Sequence, residues 1–491
     1  MLRPWLTQFW LDDSPGKTFH IKLLNKLTAD IKAGRLAPGT MLPGSRSLAN
    51  QLKVNRKTVQ QVYEELESQG WLITKPRCGT FISQALPEQG LTDKNQQIVN
   101  NTHKTKLPSV LMESLYQDAL STNTDSGYNE ISVANDGIPD SRLIPYELLA
   151  KAYRRACVNL SRHASLGYGD PRGTIELRNA IQVMLSNDRF MNVSREQICI
   201  VRGSQMGIYL ASRVLDSSKG AIIMEDYCYS PARAAFESNG FKILRCKLDQ
   251  QGLNIAHLRE LVAKNDVVGI YLTPHHQYPT TACLPMERRL AILELSKQHQ
   301  FAVIEDDYDH EFHYEANPIP PLASLPNSEN VVHIGSMSKV FAPGLRLGYM
   351  AADTKFIERA AQEIVLIDRQ GNTITEHVLA DLMASGEVRR HIRKMRKIYQ
   401  ARRDFSAYEF NRIFGDKISF KLPTGGMAIW VDCSRLLRGK KLKNLQNNDA
   451  TLSSFYSDES VEATHIRFGF GAIAEQEITK SIEKLSRTLI D

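Results

Sequence analysis

Cysteine is scarce in this sequence and is never closely paired. The 491 residues include 7 cysteines, and no two of them form a Cys-x-x-Cys pair. Disulfide frameworks and structural zinc sites usually need closely spaced cysteines, so the pattern argues against both, and we expect no metal site. Scattered thiols fit a reducing compartment, and we therefore expect a cytoplasmic protein.

Long hydrophobic runs are also missing. No stretch approaches the ~18 apolar residues that a membrane-spanning helix needs, which excludes an integral membrane protein and predicts no membrane partner. The first ten residues lack a long apolar core, so we expect no signal peptide. Hydrophobic residues make up 42% of the chain and charged residues 23%, which is ordinary for a globular protein. At roughly 150 residues per domain, the length predicts about three folded units.

Acidic residues are absent between Ile31 and Tyr63, where six basic residues occur. Positions 1–83 carry 12 Lys and Arg against 6 Asp and Glu, so nearly all of the chain's net charge of +7 lies there. A basic module joined to an electrically balanced body favours a polyanionic partner for the module. The alternative is a solvated basic face without a partner, and charge alone does not separate the two.

The basic module has the pattern of a helix-turn-helix followed by a hairpin. Apolar residues at helical spacing predict a helix ending near Gly34, a short second helix capped by Ser45, and a third helix capped by Asn55. Two short apolar runs flanking 74–79 predict a β-hairpin, or wing, with Arg77 near its tip. The first turn of the third helix is the part that would enter a DNA major groove.

This module closely resembles the winged-helix domain of GntR-type regulators, with which it shares the run Leu42-Pro43-x-Ser45-Arg46-x-Leu48-Ala49-x-x-Leu52-x-Val54-x-Arg56-x-Thr58-Val59. The resemblance covers residues 15–83 and implies binding to double-stranded DNA. Asn55 stands where the family usually has serine, and asparagine caps a helix equally well. The residues expected at the DNA are Arg46, Asn55, Arg56, Thr58, Arg77 and Gly79.

The segment that follows, 84–106, is polar and keeps neither a helical nor a strand period. Such a composition predicts a flexible or extended linker. An irregular arm packed on a domain is the alternative.

The rest of the chain alternates short apolar runs with longer helical stretches. The predicted buried strands are Ile198–Val201, Ala221–Met224, Val267–Thr273, Phe301–Glu305 and Val331–Ile334. Strands separated by helices indicate an α/β fold with a largely parallel, helix-covered sheet. Alternating patterns at Ala428–Val431 and His465–Phe470 add a smaller α+β subdomain near the end.

Polar residues follow several of these strands, at the ends where open α/β sheets bind ligands. A Gly203-Ser204 turn opens a helix, which suits an anion such as phosphate or is simply a helix cap. Ser336 and Lys339 follow one strand, and Arg346 lies seven residues beyond the lysine. An amine beside hydroxyls and a guanidinium suits a phosphorylated aldehyde. The alternative for the lysine is a surface charge.

Taken in order, these elements resemble a fold-type I, aspartate-aminotransferase-like domain that binds pyridoxal 5′-phosphate (PLP). The resemblance covers 107–491 and rests on Ser336-x-Ser338-Lys339 together with three further segments. Those segments are Tyr168-Gly169-Asp170-Pro171-x-Gly173, Glu225-Asp226-x-x-Tyr229 and Thr273-Pro274-x-His276-Gln277-Tyr278-Pro279-Thr280. A winged helix, a linker and such a body, in this order, are typical of MocR/GabR-type regulators.

The resemblance implies the roles of the cofactor contacts. Lys339 would carry PLP as a Schiff base, Asp306 would pair with the pyridine nitrogen, and Tyr308 would hydrogen-bond the phenolic oxygen. Tyr229 would stack on the ring. The residues expected at the phosphate are Ser204, Gln205, Ser336 and Arg346.

The resemblance also implies an effector site, in which Arg467 would clamp a carboxylate in bidentate fashion. The alternative is that Arg467 is an outward-facing strand charge. His276 lies near the ring by analogy, without an assigned role. Thr281 stands where the family usually has glycine, and Arg233 is offset from the position of a second acid-binding arginine, so the effector is expected to differ from that of acid-clamping relatives.

Two functions remain open on the sequence. The first is a homodimeric, PLP-dependent transcriptional regulator whose body senses an amino compound or PLP. The second is a working aminotransferase with an accessory N-terminal domain. The same Lys, Asp and Tyr set supports both functions, so transaminase activity stays undecided. The basic N-terminal module favours the regulator.

Overall fold

The computed structural model describes residues 18–87, 137–162, 166–314, 319–337, 339–437 and 464–490. The chain forms two compact units, Met1–Met112 and Glu113–Asp491. From residue 88 onward, the predicted linker 84–106 lies outside the described residues. Within the described part of the chain, none of the helices combines the length and the apolar character needed to cross a bilayer.

The first unit is a helix-turn-helix followed by a two-stranded wing. Its elements are α1 (Phe19–Lys32), α2 (Ser45–Leu52), α3 (Arg56–Ser68), β1 (Leu72–Lys75) and β2 (Gly79–Ile82). The strands pair antiparallel, with Leu72 opposite Ile82 and Lys75 opposite Gly79. The predicted winged-helix architecture is therefore confirmed.

One apolar core holds these elements together. It includes Leu27 of α1, Leu48 of α2, Val59 and Leu66 of α3, and Leu72 of β1, all nearly inaccessible to water. Removing one large aliphatic side chain from such a core typically lowers the free energy of unfolding by about 2–5 kcal/mol. The stability of each element therefore depends on the others.

The helix caps agree with the sequence at one position and differ at another. Asn55 caps α3, as predicted: its side chain accepts a hydrogen bond from the backbone N–H of Lys57. The predicted cap of α2 is wrong by one residue, because Gly44 holds the N-cap position and Ser45 is the first helical residue. The turn between the two helices passes through Lys53, which adopts the left-handed conformation at φ 55°.

The second unit is built on a seven-stranded sheet with the order β3-β11-β10-β9-β8-β4-β5. The strands are β3 (Ile198–Val201), β4 (Ala221–Glu225), β5 (Ile243–Cys246), β8 (Val267–Leu272), β9 (Ala302–Asp307), β10 (Val331–Ser336) and β11 (Gly348–Ala351). A separate short ribbon pairs β6 (Leu248–Asp249) with β7 (Gly252–Leu253). All five predicted strands are present within two residues of their predicted ends.

The sheet is largely parallel, as predicted, with one exception. β11 runs antiparallel to both of its neighbours, β10 and β3. Neither β11 nor β5 was predicted from the sequence.

Helices cover both faces of the sheet. Among the described residues, the helices that precede the subdomain are α4 (Tyr146–Arg162), α5 (Ile175–Arg189), α6 (Ser204–Val214), α7 (Ser230–Ser238), α8 (Ile255–Lys264), α9 (Met286–His299), α10 (Thr354–Ile367) and α11 (Thr373–Ala384). α6, α7 and α10 share a core with one face of the sheet. α8 and α9 pack on the other face of the central strands, and α4, α5 and α11 pack around the β3 and β11 end.

This arrangement makes neighbouring residues of β9 point to opposite layers. Ile304 lies in the core with α6, α7 and α10, whereas Val303 lies in the core with α8 and α9. Asp306 therefore shares a face with Ile304, and Asp307 shares a face with Val303.

The predicted α+β subdomain is also present. Its elements are α12 (Glu387–Phe414), β12 (Ser419–Phe420), β13 (Ala428–Asp432), α13 (Ser434–Leu437), β14 (His465–Gly469) and α14 (Glu475–Ile490). The strands form an antiparallel sheet in the order β12-β13-β14, and Trp430 lies opposite Arg467.

Candidate functional site

The candidate DNA-binding surface is the start of α3 with the facing end of α2. The side chain of Asn55 lies 2.9 Å from the amide nitrogen of Lys57 and fixes the first turn of α3. Arg56 is exposed, and its Nε lies 3.4 Å from Oγ of Ser45. Arg46 is exposed on α2. The start of α3 thus contacts the start of α2 through Arg56 and Ser45, and the charges of Arg46 and Arg56 are accessible.

The wing supplies the other predicted DNA contacts. Arg77 is exposed at the tip of the hairpin, with φ 64°, and Gly79 begins β2 with φ 117°. A Cβ at Gly79 would lie 2.8 Å from the terminal methyl group of Met41, which can move, so the positive φ is what favours glycine at this position. Thr58 is half-buried in the first turn of α3.

The second candidate site lies at the carboxyl ends of β9 and β10, and its most unusual group is Asp306. Oδ2 of Asp306 accepts a hydrogen bond of 2.8 Å from the hydroxyl of Tyr271 on β8. Oδ1 is buried and has no hydrogen-bond partner among the described residues. Burial raises the pKa of Asp306 to about 7, against the opposing effects of Tyr271 and Lys339. A buried carboxylate oxygen without a donor is poised to accept one from a ligand.

Lys339 follows β10 and lies close to Tyr308. Its Nζ is 4.6 Å from the centroid of the Tyr308 ring, and the lysine is half-buried rather than a fully exposed surface charge. The hydroxyl of Tyr308 donates a hydrogen bond of 2.8 Å to the backbone carbonyl of His276. Ser336, the last residue of β10, is buried. The lysine, the tyrosine and Asp306 therefore meet at one edge of the sheet.

Aromatic side chains form one wall of this site. The Tyr229 and Tyr278 rings meet edge to face, with centroids 5.5 Å apart. Tyr278 and Tyr308 are buried together, and Tyr229 and Trp430 pack against them. Tyr229, which is predicted to stack on the cofactor ring, is thus part of this wall.

Three of the predicted phosphate contacts, Ser204, Gln205 and Arg346, lie at the start of α6. Gly203 caps the helix, and Ser204 and Gln205 form its first turn. Nη2 of Arg346 donates a hydrogen bond of 2.9 Å to the carbonyl of Arg202. A Cβ at Gly203 would lie 3.2 Å from the same nitrogen, so the absent side chain leaves room between the helix start and the guanidinium. A helix N-terminus beside a guanidinium suits a phosphate dianion.

Arg467 is buried, with 2% of its surface exposed, so the alternative of an outward-facing strand charge is wrong. Nη1 of Arg467 donates a hydrogen bond of 2.9 Å to the carbonyl of Pro279. Its guanidinium carbon lies 4.8 Å from the centroid of the Tyr278 ring. Arg467 of β14 is therefore held against the loop that carries Tyr278 of the aromatic wall.

Two departures from the family pattern have structural outcomes. Thr281 adopts φ 61°, the left-handed conformation that glycine would accept without strain. Arg233 lies 3.7 Å from Glu237 within α7, and its Nε is buried without a hydrogen-bond partner among the described residues.

Sequence reasoning missed two residues that support the site. Tyr271 binds Asp306 from the neighbouring strand, and Asp309 binds Nδ1 of His276 at 2.7 Å. A lone tyrosine in the otherwise aliphatic run of β8 was the available signal for the first of these.

The residues present fit PLP. The unpartnered oxygen of Asp306 suits the protonated ring nitrogen, and the amine of Lys339 is within the same site. The open cradle between Gly203 and Arg346 suits the phosphate.

Comparisons with known families agree with this geometry. Residues 22–82 match the family described as bacterial regulatory proteins, gntR family. Residues 138–485, well over half of the chain, match the family described as aminotransferase class I and II.

Curated relatives share the full arrangement of the chain. YdeL of Bacillus subtilis (strain 168), named as an uncharacterized HTH-type transcriptional regulator, is 27% identical over 483 residues, covering 96% of this chain and 97% of its own. MocR of Rhizobium meliloti, named as a probable rhizopine catabolism regulatory protein, is 26% identical and covers 88% of this chain and 85% of its own. NorG of Staphylococcus aureus (strain N315), an HTH-type transcriptional regulator, is 29% identical over 79% of this chain and 86% of its own.

Solved structures show the fold of the second unit. A multiple substrate aminotransferase from Thermococcus profundus superposes with a TM-score of 0.69 at 24% identity, covering 77% of this chain and 95% of its own. An archaeal alanine:glyoxylate aminotransferase superposes with a TM-score of 0.67 at 25% identity, covering 73% and 90%. The chain therefore belongs to the aminotransferase class I and II family and carries an N-terminal winged helix of the gntR family of bacterial regulatory proteins.

Proposed function

We propose that this chain is a PLP-dependent transcriptional regulator that acts in the cytoplasm. Its first unit binds double-stranded DNA, and its second unit binds PLP and senses an amino compound or PLP itself. One observation carries the proposal: a chain with an exposed basic helix start at Arg56 also holds Lys339, Asp306 and Tyr308 in one site.

The residues of the second unit would divide the work of holding the cofactor. When bound, PLP supplies an aldehyde that reacts with amines and a ring that withdraws electrons. Lys339 would hold it through its amine, and Asp306 would keep a proton on the ring nitrogen. Tyr308 would bind the phenolic oxygen, and Tyr229 would cover a ring face. Ser204, Gln205, Ser336 and Arg346 would hold the phosphate.

Arg467 would bind the effector if the effector carries a carboxylate. Its guanidinium already donates to the carbonyl of Pro279, so an arriving carboxylate would compete with that backbone group. Binding would therefore be coupled to the loop around Pro279. An effector changes the protein only if it prefers one conformation over another, and this exchange of partners supplies such a preference.

A homodimer is part of the proposal. Tyr168 is 83% exposed and Leu366 is 78% exposed, in a unit whose other large apolar groups are mostly buried. A second copy of the chain would cover such groups.

A working aminotransferase is the second candidate. The observation in its favour is that Lys339, Asp306 and Tyr308 lie together in this unit, whose solved structural relatives are aminotransferases. Multiple turnovers with a keto acid acceptor would support this candidate over the regulator.

The decisive experiment recovers DNA fragments bound by the purified full-length protein, with and without PLP and a panel of amines. A regulator should enrich discrete fragments, and at least one ligand should change the enrichment. If about four to six basic side chains meet phosphates, log K should fall with log salt at roughly −0.9 per contact.

The matched control is the double variant Arg46→Ala, Arg56→Ala, which should lose the enrichment and keep the absorption of bound cofactor. Equal recovery by wild type and this variant, or a salt slope near zero, would refute DNA binding by the first unit.

A further inference from the structure

Three metal-ligating side chains meet behind the cofactor site, on the opposite face of β9 from Asp306. His275 follows β8, Asp307 ends β9, and His310 lies in the turn beyond it. All three are buried, and one ligand atom from each lies within 4.8 Å of the others. Nδ1 of His310 is 3.1 Å from Nε2 of His275 and 3.5 Å from Oδ2 of Asp307.

The hydrogen bonds of His275 define which of its nitrogens carries a hydrogen. Nε2 lies 2.6 Å from the carbonyl oxygen of Ile319, so this nitrogen must donate. When the His275 ring is neutral, Nδ1 presents a lone pair to Oδ1 of Asp307 at 3.3 Å. Both atoms are buried, and neither has a hydrogen-bond partner among the described residues. Two facing lone pairs repel unless a cation lies between them.

We propose that His275, Asp307 and His310 bind one Zn²⁺ ion, with water as the fourth ligand. Two imidazoles and a carboxylate form a donor set typical of zinc, which binds such ligands at about 2.0–2.2 Å. A tetrahedral site with these bonds places its ligand atoms roughly 3.4 Å apart. Nδ1 of His275 and Oδ1 of Asp307 lie 3.3 Å apart, close to that value, and a ligand atom of His310 lies within 4.8 Å of the other two residues' ligand atoms.

One contact in the surroundings matches what zinc-binding histidines usually have. The Ile319 carbonyl orients His275 as outer partners of zinc-binding histidines commonly do.

The nearby cation Arg189 opposes a metal, but it is engaged elsewhere. Its Nη1 lies 2.5 Å from Oδ2 of Asp307, which leaves Oδ1 for the ion. Its Nη2 lies 2.6 Å from Oε1 of Glu311, so a second carboxylate offsets the arginine charge.

An ion could reach the site from a neighbouring cavity of 1570 Å³ whose lining includes His310, Glu311 and His313. Once bound, it would join the loop after β8 to the turn after β9. Asp306 and Asp307 are adjacent in β9, so the ion would stiffen the strand end that carries the cofactor's carboxylate.

The test uses tag-free, full-length protein with its cofactor, freed of metal with a chelator. Titration calorimetry with Zn²⁺ should give one ion per chain, and Co²⁺ should give the visible ligand-field bands of a tetrahedral site. His275→Gln and His310→Gln should each weaken Zn²⁺ binding at least ~10-fold, because each removes a ligand. His299→Gln, an exposed histidine at the end of α9, is the matched control and should bind as wild type does.

Cofactor absorption and circular dichroism should remain those of wild type in the three variants, which separates a lost ligand from a lost fold. Absence of stoichiometric Zn²⁺ binding by wild type would overturn the proposal. The contact between Nδ1 of His275 and Oδ1 of Asp307 would then be explained by a proton on His275. Binding that survives both glutamine substitutions would also overturn it, since the ion would then be adventitious. Neither outcome bears on DNA binding or on PLP.

Discussion

The two units of this chain handle charge in opposite ways. In the first unit, Arg46, Arg56 and Arg77 are exposed, and the acidic side chain that is buried there, Asp30, is held by Lys26 and Arg35. In the second unit, many charged side chains are buried, among them Arg189, Arg289, Glu305, Asp306 and Asp307.

This difference follows from the size of the ligand each unit would bind. A DNA duplex is too large to enclose, so exposed cations meet it across water, and the attraction is screened by salt. A small cofactor can be enclosed, and a desolvated carboxylate such as Asp306 then acts strongly at short range. If the comparison is correct, substitutions in one unit should leave the ligand of the other unit bound.

The largest expected effect comes from Lys339→Ala. The variant should lose the visible absorption of bound cofactor after dialysis and lose its response to effector, because the amine that would hold PLP is gone. Its DNA affinity should stay within about twofold of wild type, since distant sites are usually independent. Absorption spectra and DNA titrations measure the two outcomes, and unchanged colour after dialysis would contradict the role of Lys339.

The next effect concerns Asp306→Asn and pH. In cofactor-free protein, burial raises the pKa of Asp306 to about 7, above the value near 3.9 of an unfolded chain. Its contribution to stability is fully present below about pH 4 and is lost as pH rises through 7. The cofactor-free variant should therefore be more stable than wild type at pH 8, by on the order of 1–3 kcal/mol, with a smaller difference at pH 5.

Thermal unfolding of cofactor-free protein at the two pH values measures this effect. Asp266→Asn, at an exposed aspartate of the same unit, is the control and should change neither value. A pH dependence identical to that of wild type would show that Asp306 is solvated, which would remove the contrast between the units.

Arg56→Ala sharpens the comparison from the other side. Loss of one exposed cation at the start of α3 should weaken DNA binding about tenfold and reduce the salt slope by about 1, while cofactor spectra stay unchanged. Arg259→Ala removes an equally exposed arginine in the second unit and should leave DNA affinity as it was. An altered cofactor spectrum with unaltered DNA affinity would show that Arg56 serves the cofactor site and not DNA binding.

The smallest effect is local. Asn55→Ala removes the cap that accepts the Lys57 amide, which should destabilise the first turn of α3 by about 1 kcal/mol. Amide exchange in 55–68 should then be about fivefold faster, whereas Asn55→Ser, which restores a capping oxygen, should exchange as wild type does. Equal protection in the alanine variant would show that the cap contributes nothing.

Local signals explain what the sequence could predict. Asn55 as a cap, the wing, and the buried strands such as Val331–Ile334 each depend on neighbouring residues, whose patterns are visible in the chain. The site at Lys339 was predicted through resemblance together with its position after a strand.

Contacts between distant segments explain what it could not predict. Tyr271 and Asp306 are 35 residues apart and meet because β8 and β9 pair in register. The antiparallel placement of β11 depends on two partner strands, and its four residues carry no sign of direction. The meeting of His275 with His310 likewise requires the pairing of β8 with β9, because the two histidines lie beyond different strands.

The antiparallel strand β11 has one more consequence. Ser336 at the end of β10 lies opposite Gly348 at the start of β11. The segment between them therefore leaves the sheet and returns to the same place, and it carries both Lys339 and Arg346. The amine and the guanidinium therefore cannot drift apart independently, because both are tethered to the same two anchor points. One inserted residue between Ser336 and Gly348 would change the length of the path on which the positions of both groups depend.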